Sequence, residues 1–263
     1  MRQLVEQMPR PLHDIIGPLD TIRVPAQGYT SNVVIAVSAR GSFVVKRAKK
    51  PPYTEWLRRE YEMLSTLNSH MRFVPKPLFY VEEYTHEGYS HWLLMEYIPG
   101  EPLRQVLRHI DDGAERRRLL FEFGRTLARI HNQEPPSALE SGQPWLDHML
   151  QLAAGYLRDY DVDGDAALLE RLRVTRPEPL SPCLIHGDYT LDNVLIHEGQ
   201  VSGVIDWCWG TVGDPRHDLA IATRQKPEAF TDAADLDAFY DGYAGRRLTA
   251  DERDYFLGLY EFF

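Results

Sequence analysis

Short apolar runs rich in β-branched residues dominate the first third of the chain. Segments 32–38 and 42–47 lie on either side of a short turn and predict a β-hairpin. Residues 74–83 and 91–98 predict two more strands. Between the two pairs, apolar residues recur every three or four positions, which predicts a helix from about Thr54 to Leu67.

Helical periodicity dominates the rest of the chain, and its clearest example is an amphipathic helix over residues 114–132. The stretch 184–196 differs, because two short apolar runs bracket a polar core there, which predicts strand, loop, strand. Segment 98–102 contains proline and glycine and is a natural hinge. We therefore predict an α+β fold with a β-rich first lobe, residues 1–97, and a mainly helical second lobe, residues 98–263.

The composition is that of a globular protein without membrane spans. The chain has 263 residues, of which 43% are hydrophobic and 26% charged, enough for one large domain or two lobes. Its apolar runs stay well below the ~18 residues of a membrane span, and the N-terminal segment lacks the apolar stretch of a signal peptide. Two cysteines, Cys183 and Cys208, make no disulfide framework. We expect a cytoplasmic protein.

The formal net charge of −10 bears on possible partners. Proteins that bind the phosphate backbone of nucleic acids usually present basic surfaces, so we expect no nucleic-acid partner. We also expect no membrane partner. A cationic ligand is compatible with the charge, but so is a role in solubility alone. The sequence leaves the oligomeric state open.

One carboxylate interrupts the apolar face of the helix predicted over 54–67. Leu57, Tyr61 and Leu64 form a stripe at helical spacing, and Glu60 lies inside that stripe. A carboxylate on a buried face needs a partner. Lys46, in a neighbouring apolar strand, is a candidate, so the sequence predicts a buried Lys46–Glu60 pair. The alternative is that both residues occupy edge positions and reach water.

The polar core of 184–196 contains an acid and an amide five residues apart, Asp188 and Asn193. Two predicted strands follow and end at Asp206, so all three side chains can lie at one end of a small hairpin. Carboxylate and amide oxygens suit Mg²⁺. Phosphoryl transfer from ATP uses these residue types together with a lysine that a glutamate positions, and Lys46 and Glu60 precede them in the required order.

Three motifs carry a resemblance to a known family: "HGDYTLDN" at 186–193, "GVIDW" at 203–207 and "GDPRHDLA" at 213–220. Together they resemble the aminoglycoside phosphotransferase and choline kinase-like superfamily, relatives of the protein kinases. Protein kinases carry an arginine where this chain has Gly187, and D-F-G where it has 206–208. These departures favour the small-molecule kinases. The resemblance implies a protein-kinase-like fold with a small antiparallel β-rich N-lobe and a larger mainly helical C-lobe.

The resemblance also implies roles for the matched residues. Asp188 is expected to be the catalytic base, and Asn193 and Asp206 the Mg²⁺ ligands. Lys46, held by Glu60, is expected to bind the phosphates of ATP.

Four further residues are expected to have structural positions. We expect His186 to pack under the catalytic loop and Asp218 to hydrogen-bond the backbone of that loop. His131 is expected to be a core histidine and His217 a surface residue.

Nucleotide contacts are expected from two further segments. "QGYTSNVV" resembles the G-x-x-S-N turn of the small-molecule kinases, which implies that Gly28 and Ser31 lie near the phosphates. "LLMEYIPG" resembles the segment that joins the two lobes in the family, which implies that the backbone of Glu96 and Ile98 faces adenine.

Substrate contacts are expected from similarity to the kanamycin-kinase branch, whose members end in an acidic-aromatic tail. This similarity implies that Glu261 and the terminal carboxylate of Phe263 meet substrate amines. An acidic segment that includes Asp159 and Asp161 is expected to bind ammonium groups, although it can equally cap the helix that follows. The chain departs from that branch at Pro215, where a basic residue is usual, and at Tyr260, where an acid is usual.

These observations predict an ATP- and Mg²⁺-dependent kinase of a small hydroxylated amine, with an aminoglycoside as the best single guess. A second hypothesis keeps the fold and changes the substrate to a metabolite such as choline, homoserine or a sugar. A third is a catalytically silent nucleotide-binding regulator, which the complete Lys–Glu–Asp–Asn–Asp set disfavours.

Overall fold

The computed structural model describes residues 2–25, 31–85, 88–139, 142–224 and 230–263. The chain forms two compact units. The first contains residues 1–99 together with 203–209, and the second contains 100–202 together with 210–263. The segment that carries Asp206 therefore belongs to the first unit, because its contacts are made there.

A five-stranded antiparallel sheet in the order β1-β2-β3-β5-β4 forms the centre of the first unit. Its strands are β1 (Leu19–Arg23), β2 (Asn32–Ser38), β3 (Gly41–Ala48), β4 (Pro77–Thr85) and β5 (Gly88–Glu96). The strands predicted from the sequence, which correspond to β2 to β5, are confirmed. β3 is flanked on both sides, so a polar side chain on its buried face needs a partner within the unit.

Three helices accompany this sheet: α1 (Arg2–Glu6), α2 (Arg10–Ile16) and α3 (Tyr53–Leu67). The bounds of α3 confirm the predicted helix, whereas α1 and α2 were not predicted. α1, α2 and the turn between them supply Leu4, Met8, Leu12 and Ile16 to a core that continues into the sheet. Each such buried side chain contributes about 1.5–3 kcal/mol relative to an exposed one.

The second unit is mainly helical. Its helices are α4 (Leu103–Arg108), α5 (Gly113–His131), α6 (Trp145–Asp159), α7 (Ala166–Val174), α8 (Pro215–Ala222), α9 (Ala233–Tyr243) and α10 (Ala250–Tyr260). α5 confirms the amphipathic helix predicted over 114–132. One core cluster joins α6, α7 and α10 and includes Leu150, Leu172, Phe256 and Phe262. Among the described helices, none combines the length and the apolar character that crossing a bilayer requires.

Short strands bring the predicted catalytic loop into place. β7 (Cys183–Ile185) pairs with β10 (Thr211–Gly213), and β8 (Val194–His197) lies between β6 (Glu101–Pro102) and β9 (Gln200–Val204). The predicted strand, loop, strand is therefore confirmed. The two strands belong to different sheets, so residues 186–193 bridge those sheets and both ends of the loop are fixed.

Candidate active site

Lys46 and Glu60 form a buried ion pair that links β3 to α3. The Nζ atom of Lys46 lies 2.7 Å and 2.9 Å from the two carboxylate oxygens of Glu60. Lys46 is 8% exposed and Glu60 is 3% exposed. The predicted pair is thus confirmed, and the alternative of two edge residues reaching water is wrong.

Asp206 completes a charged cluster in the first unit. The Nζ atom of Lys46 also hydrogen-bonds the Asp206 carboxylate. Burial lowers the pKa of Lys46, but the carboxylates of Asp206 and Glu60 outweigh burial and raise it, so the ammonium stays charged. Burial raises the pKa of Glu60, and the charge of Lys46 opposes that rise.

The backbone of Asp206 has an unusual conformation. Its φ angle is 62°, in the left-handed region that few non-glycine residues adopt. Such a conformation costs of order 1–3 kcal/mol and is common at functional sites. The side chain remains 43% exposed although Lys46 contacts it. A partly exposed carboxylate that already attracts a cation fits a Mg²⁺ ligand.

The carboxylate of Asp188 is held on both oxygens within the second unit. The Nδ2 atom of Asn193 donates to the Asp188 Oδ2 atom and to the Asp188 carbonyl, each at 2.9 Å. The hydroxyl of Tyr260 donates to the Asp188 Oδ1 atom at 2.7 Å. The sequence missed this second contact, because Tyr260 is far along the chain and shows no charge pattern.

Asp218 fixes the backbone that carries Asp188. The amides of His186 and Gly187 each donate to one Asp218 carboxylate oxygen at 2.7 Å, and His131 contacts the same carboxylate at 3.2 Å. Gly187 has a φ angle of 81°, which explains glycine at this position. Burial alone would raise the pKa of Asp218, but the hydrogen bond and charge of His131 lower it. The expected hydrogen bonds from the loop backbone to Asp218 are therefore present, and the His186 and His131 side chains are buried as expected.

His217 and Arg216 are buried, and the surface position expected for His217 is wrong. His217 is 2% exposed and lies against the carbonyl of Gly187, because α8 is enclosed on all sides. Burial lowers the pKa of His217. Arg216 is 3% exposed and pairs with Asp214 and Glu252, so two carboxylates of the protein already compensate its charge.

Only some of the residues expected to contact the nucleotide lie in the part of the chain that the structure describes. Gly28 lies outside the described residues, whereas Ser31 is partly exposed directly before β2. The amide of Glu96 donates to the Lys76 carbonyl at 2.9 Å, so it is committed within the first unit. Ile98 is partly exposed and follows β5. The adenine contact of Glu96 and Ile98 stays a prediction.

Two of the segments expected to bind substrate, the acidic segment and the C-terminal tail, are in contact. The amide of Gly164 donates to the Glu261 carbonyl at 2.8 Å, which brings the acidic segment beside the C-terminal tail. Asp161 is exposed in that segment. Asp159 is also exposed but is paired with Arg158 at 2.7 Å. At the tail, Phe263 packs edge-on against Tyr156.

One residue of the acidic segment caps a helix, which was the alternative to substrate binding. Asp165 accepts from the amide of Leu168 at 2.7 Å and caps α7. The helix-capping reading is therefore confirmed for Asp165.

A small pocket in the second unit adjoins the catalytic loop. It is lined by Thr190, Leu191, Ile221, Ala222, Arg224 and Tyr260. Arg224 pairs with Glu261 at 3.0 Å and lies over the ring of Tyr260 at 5.5 Å from its centroid. The pocket lining thus combines a cation and an aromatic ring, and the cation pairs with Glu261, which is not itself a lining residue. Of Arg224, Tyr260 and Glu261, only Glu261 was expected from the sequence to contact substrate.

A further contact missed from the sequence involves Asp192, in the same loop. Its carboxylate lies 3.3 Å from the Nη1 atom of Arg104 in α4. The amide of Arg104 also donates to the Leu191 carbonyl at 3.1 Å. Asp192 therefore ties the loop to α4.

A comparison with family profiles agrees with this local geometry. The profile of the phosphotransferase enzyme family matches residues 21–256, nearly the whole chain. The chain belongs to that family. The match includes Lys46, Glu60, Asp188, Asn193 and Asp206, and the predicted superfamily is confirmed.

The proteins to which the chain is similar are named for different activities. The chain is 25% identical to an aminoglycoside 3'-phosphotransferase of Niallia circulans, with 100% of both chains covered. It is 35% identical over 144 residues to a homoserine kinase of Neisseria meningitidis serogroup B, covering 52% of this chain and 47% of that protein. It is also 29% identical over 209 residues to acyl-CoA dehydrogenase family member 11 of Gallus gallus, covering 74% of this chain. The chain spans 26% of the length of that relative.

A solved structure of a phosphotransferase complex confirms the fold. The gentamicin complex of APH(2")-IIa superposes with a TM-score of 0.64 at 18% identity, covering 93% of this chain and 81% of that one. The predicted kinase-like α+β fold, with an antiparallel β-rich part and a larger helical part, is therefore confirmed.

Proposed function

We propose that the chain is an ATP- and Mg²⁺-dependent kinase that phosphorylates a hydroxyl group of a small molecule. The observation that carries the proposal is the Asp188 carboxylate, held on both oxygens by Asn193 and Tyr260. A fixed carboxylate on a loop whose backbone is itself fixed by Asp218 is what positioning a hydroxyl requires. Membership of the phosphotransferase enzyme family supports this chemistry. We also propose a cytoplasmic location, where ATP is available.

In the proposed reaction the substrate oxygen forms a bond to the γ-phosphorus of ATP. The bond from that phosphorus to the β–γ bridging oxygen breaks, ADP leaves, and Asp188 accepts the hydroxyl proton. Lys46, held by Glu60, would bind the phosphates, and Asn193 and Asp206 would hold Mg²⁺. Bound Mg²⁺ would neutralise charge on the phosphates. The protein itself contributes positioning and charge, with little covalent chemistry.

An aminoglycoside remains the first substrate candidate. The relative covered over its full length is an aminoglycoside 3'-phosphotransferase. The contact between Gly164 and the Glu261 carbonyl supports this candidate, because it places acidic residues beside the tail that is expected to meet substrate amines. Carboxylates such as Asp161 and Glu261 would bind the ammonium groups of a polycationic sugar.

A hydroxylated amino acid is the second candidate, and the pocket beside the catalytic loop favours it. Arg224 lines that pocket and pairs with Glu261 at 3.0 Å, so a carboxylate lies beside the cation of the pocket. Such a pair complements a zwitterion, with the carboxylate on Arg224 and the ammonium on Glu261, whereas a polycation would be repelled by Arg224. The 35% identity to a homoserine kinase supports the same candidate.

The test is release of ADP with a panel of hydroxyl acceptors: kanamycin-type drugs, homoserine, choline and simple sugars. Asp188→Asn is the control, and we expect its turnover to fall by more than the ~10²–10⁴ typical of general-base loss, because positioning is lost as well. Turnover within tenfold of the parent would contradict the role of Asp188. Activity with homoserine alone would reject the aminoglycoside candidate, and activity with kanamycin alone would reject the amino acid. Nucleotide binding without turnover on any acceptor would favour the silent regulator.

A further inference from the structure

Tyr260 reaches the catalytic carboxylate from the last residue of α10. Its hydroxyl donates to the Asp188 Oδ1 atom at 2.7 Å, at the short end of the range for hydrogen bonds between oxygens. A hydrogen bond to an ionised acceptor is stronger than one between neutral groups. The contact therefore joins the C-terminal helix directly to the group that is proposed to accept the substrate proton.

The position of this hydroxyl is fixed by the anchoring of α10. Thr249 and Glu252 form a capping box at the start of the helix, and Glu252 also pairs with Arg216 at 2.9 Å. Phe256 and Leu259 are fully buried on its inner face. Because both ends of the helix are constrained, Tyr260 has little freedom to leave Asp188.

The ring of Tyr260 is also held. The guanidinium of Arg224 lies 5.5 Å from the ring centroid, and the same guanidinium pairs with Glu261. A cation over an aromatic face is attracted by the ring electrons, so this contact restrains the ring. Tyr260 lines the pocket together with Thr190, and its hydroxyl contacts the Asp188 carboxylate.

The two oxygens of Asp188 are thus restrained from separate elements. Asn193 holds Oδ2 from within the loop, and Tyr260 holds Oδ1 from α10. Two donors on the two oxygens fix the plane of the carboxylate as well as its position. Each carboxylate oxygen has a second acceptor site, so a substrate hydroxyl can still donate to Oδ1 while Tyr260 is bound.

We propose that Tyr260 is a positioning residue for phosphoryl transfer, acting through Asp188. This inference rests on the proposed function, in which Asp188 accepts the substrate proton. Tyr260 stands where an acid is usual in the kanamycin-kinase branch. In this chain the tyrosine hydroxyl at that position donates to the Asp188 carboxylate.

The test removes only the hydroxyl, with Tyr260→Phe. We expect kcat to fall about tenfold, the loss of one charge-assisted hydrogen bond in the transition state, while the KM for ATP stays within twofold. Tyr255→Phe is the matched control. It lies on the same helix and its hydroxyl donates to the Leu172 carbonyl at 3.0 Å, away from Asp188. We expect that variant to keep the parental kcat.

A second measurement separates positioning from a general structural role. In an Asp188→Asn background, Tyr260→Phe is expected to cause no further loss, because Tyr260 acts through the missing carboxylate. An additional tenfold loss in that background would overturn the inference. So would parental or higher kcat in Tyr260→Phe while Asp188→Asn is inactive. Parental activity in Asp188→Asn would instead overturn the proposed function itself.

Discussion

Glu60 carries a carboxylate on the buried face of α3, where desolvation of a charge costs several kcal/mol. The ammonium of Lys46 offsets this cost through two hydrogen bonds. Lys46 is in turn shared with Asp206, so the two acids balance one buried cation. Removing either partner of Lys46 changes both the stability of the first unit and the position of the lysine.

Glu60→Gln is expected to lower the free energy of unfolding by about 3 kcal/mol, because one partner of a buried ion pair is removed. Glu62→Gln is the matched control on the same helix. Glu62 pairs with Arg58 in a largely exposed position, so we expect a change of less than about 0.5 kcal/mol. Urea denaturation measures both values. Equal effects of the two variants would contradict a special role for the buried pair.

Residues with an unusual local pattern could be identified from the sequence. Residues whose role depends on contacts with distant parts of the chain could not. Glu60 was identifiable because a charge in an apolar stripe needs a partner. Asp188 and Asn193 were identifiable from their spacing between two short apolar runs. Tyr260 was not, because a tyrosine near a helix end is ordinary in sequence. His217 was misplaced because its helix is buried on every side and shows no polar face to compare with.

At the scale of elements, α5 and α9 approach each other through two glycines. A Cβ atom added to Gly124 would lie 2.0 Å from the Phe239 carbonyl oxygen, and one added to Gly242 would lie 1.9 Å from that of Phe121. Side chains at these positions would force the helices apart. The glycines therefore set the distance between α5 and α9. Phe123 of α5 in turn stacks on Tyr189 in the catalytic loop.

Gly124→Ala is expected to lower the free energy of unfolding by about 1–3 kcal/mol, because the added methyl group overpacks the contact between the helices. This loss outweighs the better helix propensity of alanine. Gly155→Ala tests the opposite case, since an added Cβ in α6 meets nothing within 4 Å. There we expect a gain of about 0.5–1 kcal/mol from helix propensity alone. Thermal unfolding of the two variants compares them directly. A stabilised Gly124→Ala protein would show that the helices can separate without cost.

The anchoring of α10 predicts a dependence of stability on pH. Burial alone would raise the pKa of Glu252, but the amide of Thr249 and the guanidinium groups of Arg216 and Arg246 lower it to about 2. An unfolded glutamate has a pKa of about 4.3. The folded state therefore binds fewer protons, so this stabilisation is complete above about pH 5 and is lost as the pH falls towards 2.

Glu252→Gln removes this contribution, so its unfolding free energy should approach that of the parent at low pH. Between pH 6 and pH 3 we expect the difference between the two proteins to shrink by about 1.5 kcal/mol. Urea denaturation at several pH values measures this difference. Glu170→Gln, in an exposed pair with Arg173, should show no such trend. A constant difference for Glu252→Gln would rule out the shifted carboxyl as its cause.

Helices and strands with a regular spacing of apolar residues could be predicted from the sequence. Elements that depend on tertiary contacts could not. The bounds of β2 and α5 follow directly from their apolar spacing. The assignment of β7 and β8 to different sheets does not, because either short run could pair with several partners. α1 was also missed, since it has only five residues and is stabilised by burial of Leu4 rather than by its own pattern.

At the scale of the whole molecule, the charge of the protein opposes the proposed nucleotide. The chain has a formal net charge of −10, and ATP is a polyanion, so their long-range interaction is repulsive. Local cations must overcome this repulsion. Lys46 is one such cation, but Glu60 and Asp206 already compensate its charge. A divalent ion beside Asp206 would free part of the lysine charge for phosphate, and we therefore expect nucleotide binding to depend on Mg²⁺.

Thermal unfolding tests this dependence without requiring turnover. ATP at about 100 times its Kd stabilises a protein by about 2.7 kcal/mol, which corresponds to a rise in Tm of roughly 5–10 °C for a chain of this size. We expect that rise with Mg²⁺ present and a much smaller one with EDTA. Asp188→Asn should keep the rise, since its role is in the transfer step, whereas Lys46→Met should lose most of it. A full rise in Lys46→Met would place the phosphates away from the Lys46–Glu60 pair, and a full rise in EDTA would mean that Mg²⁺ acts only on the transfer itself.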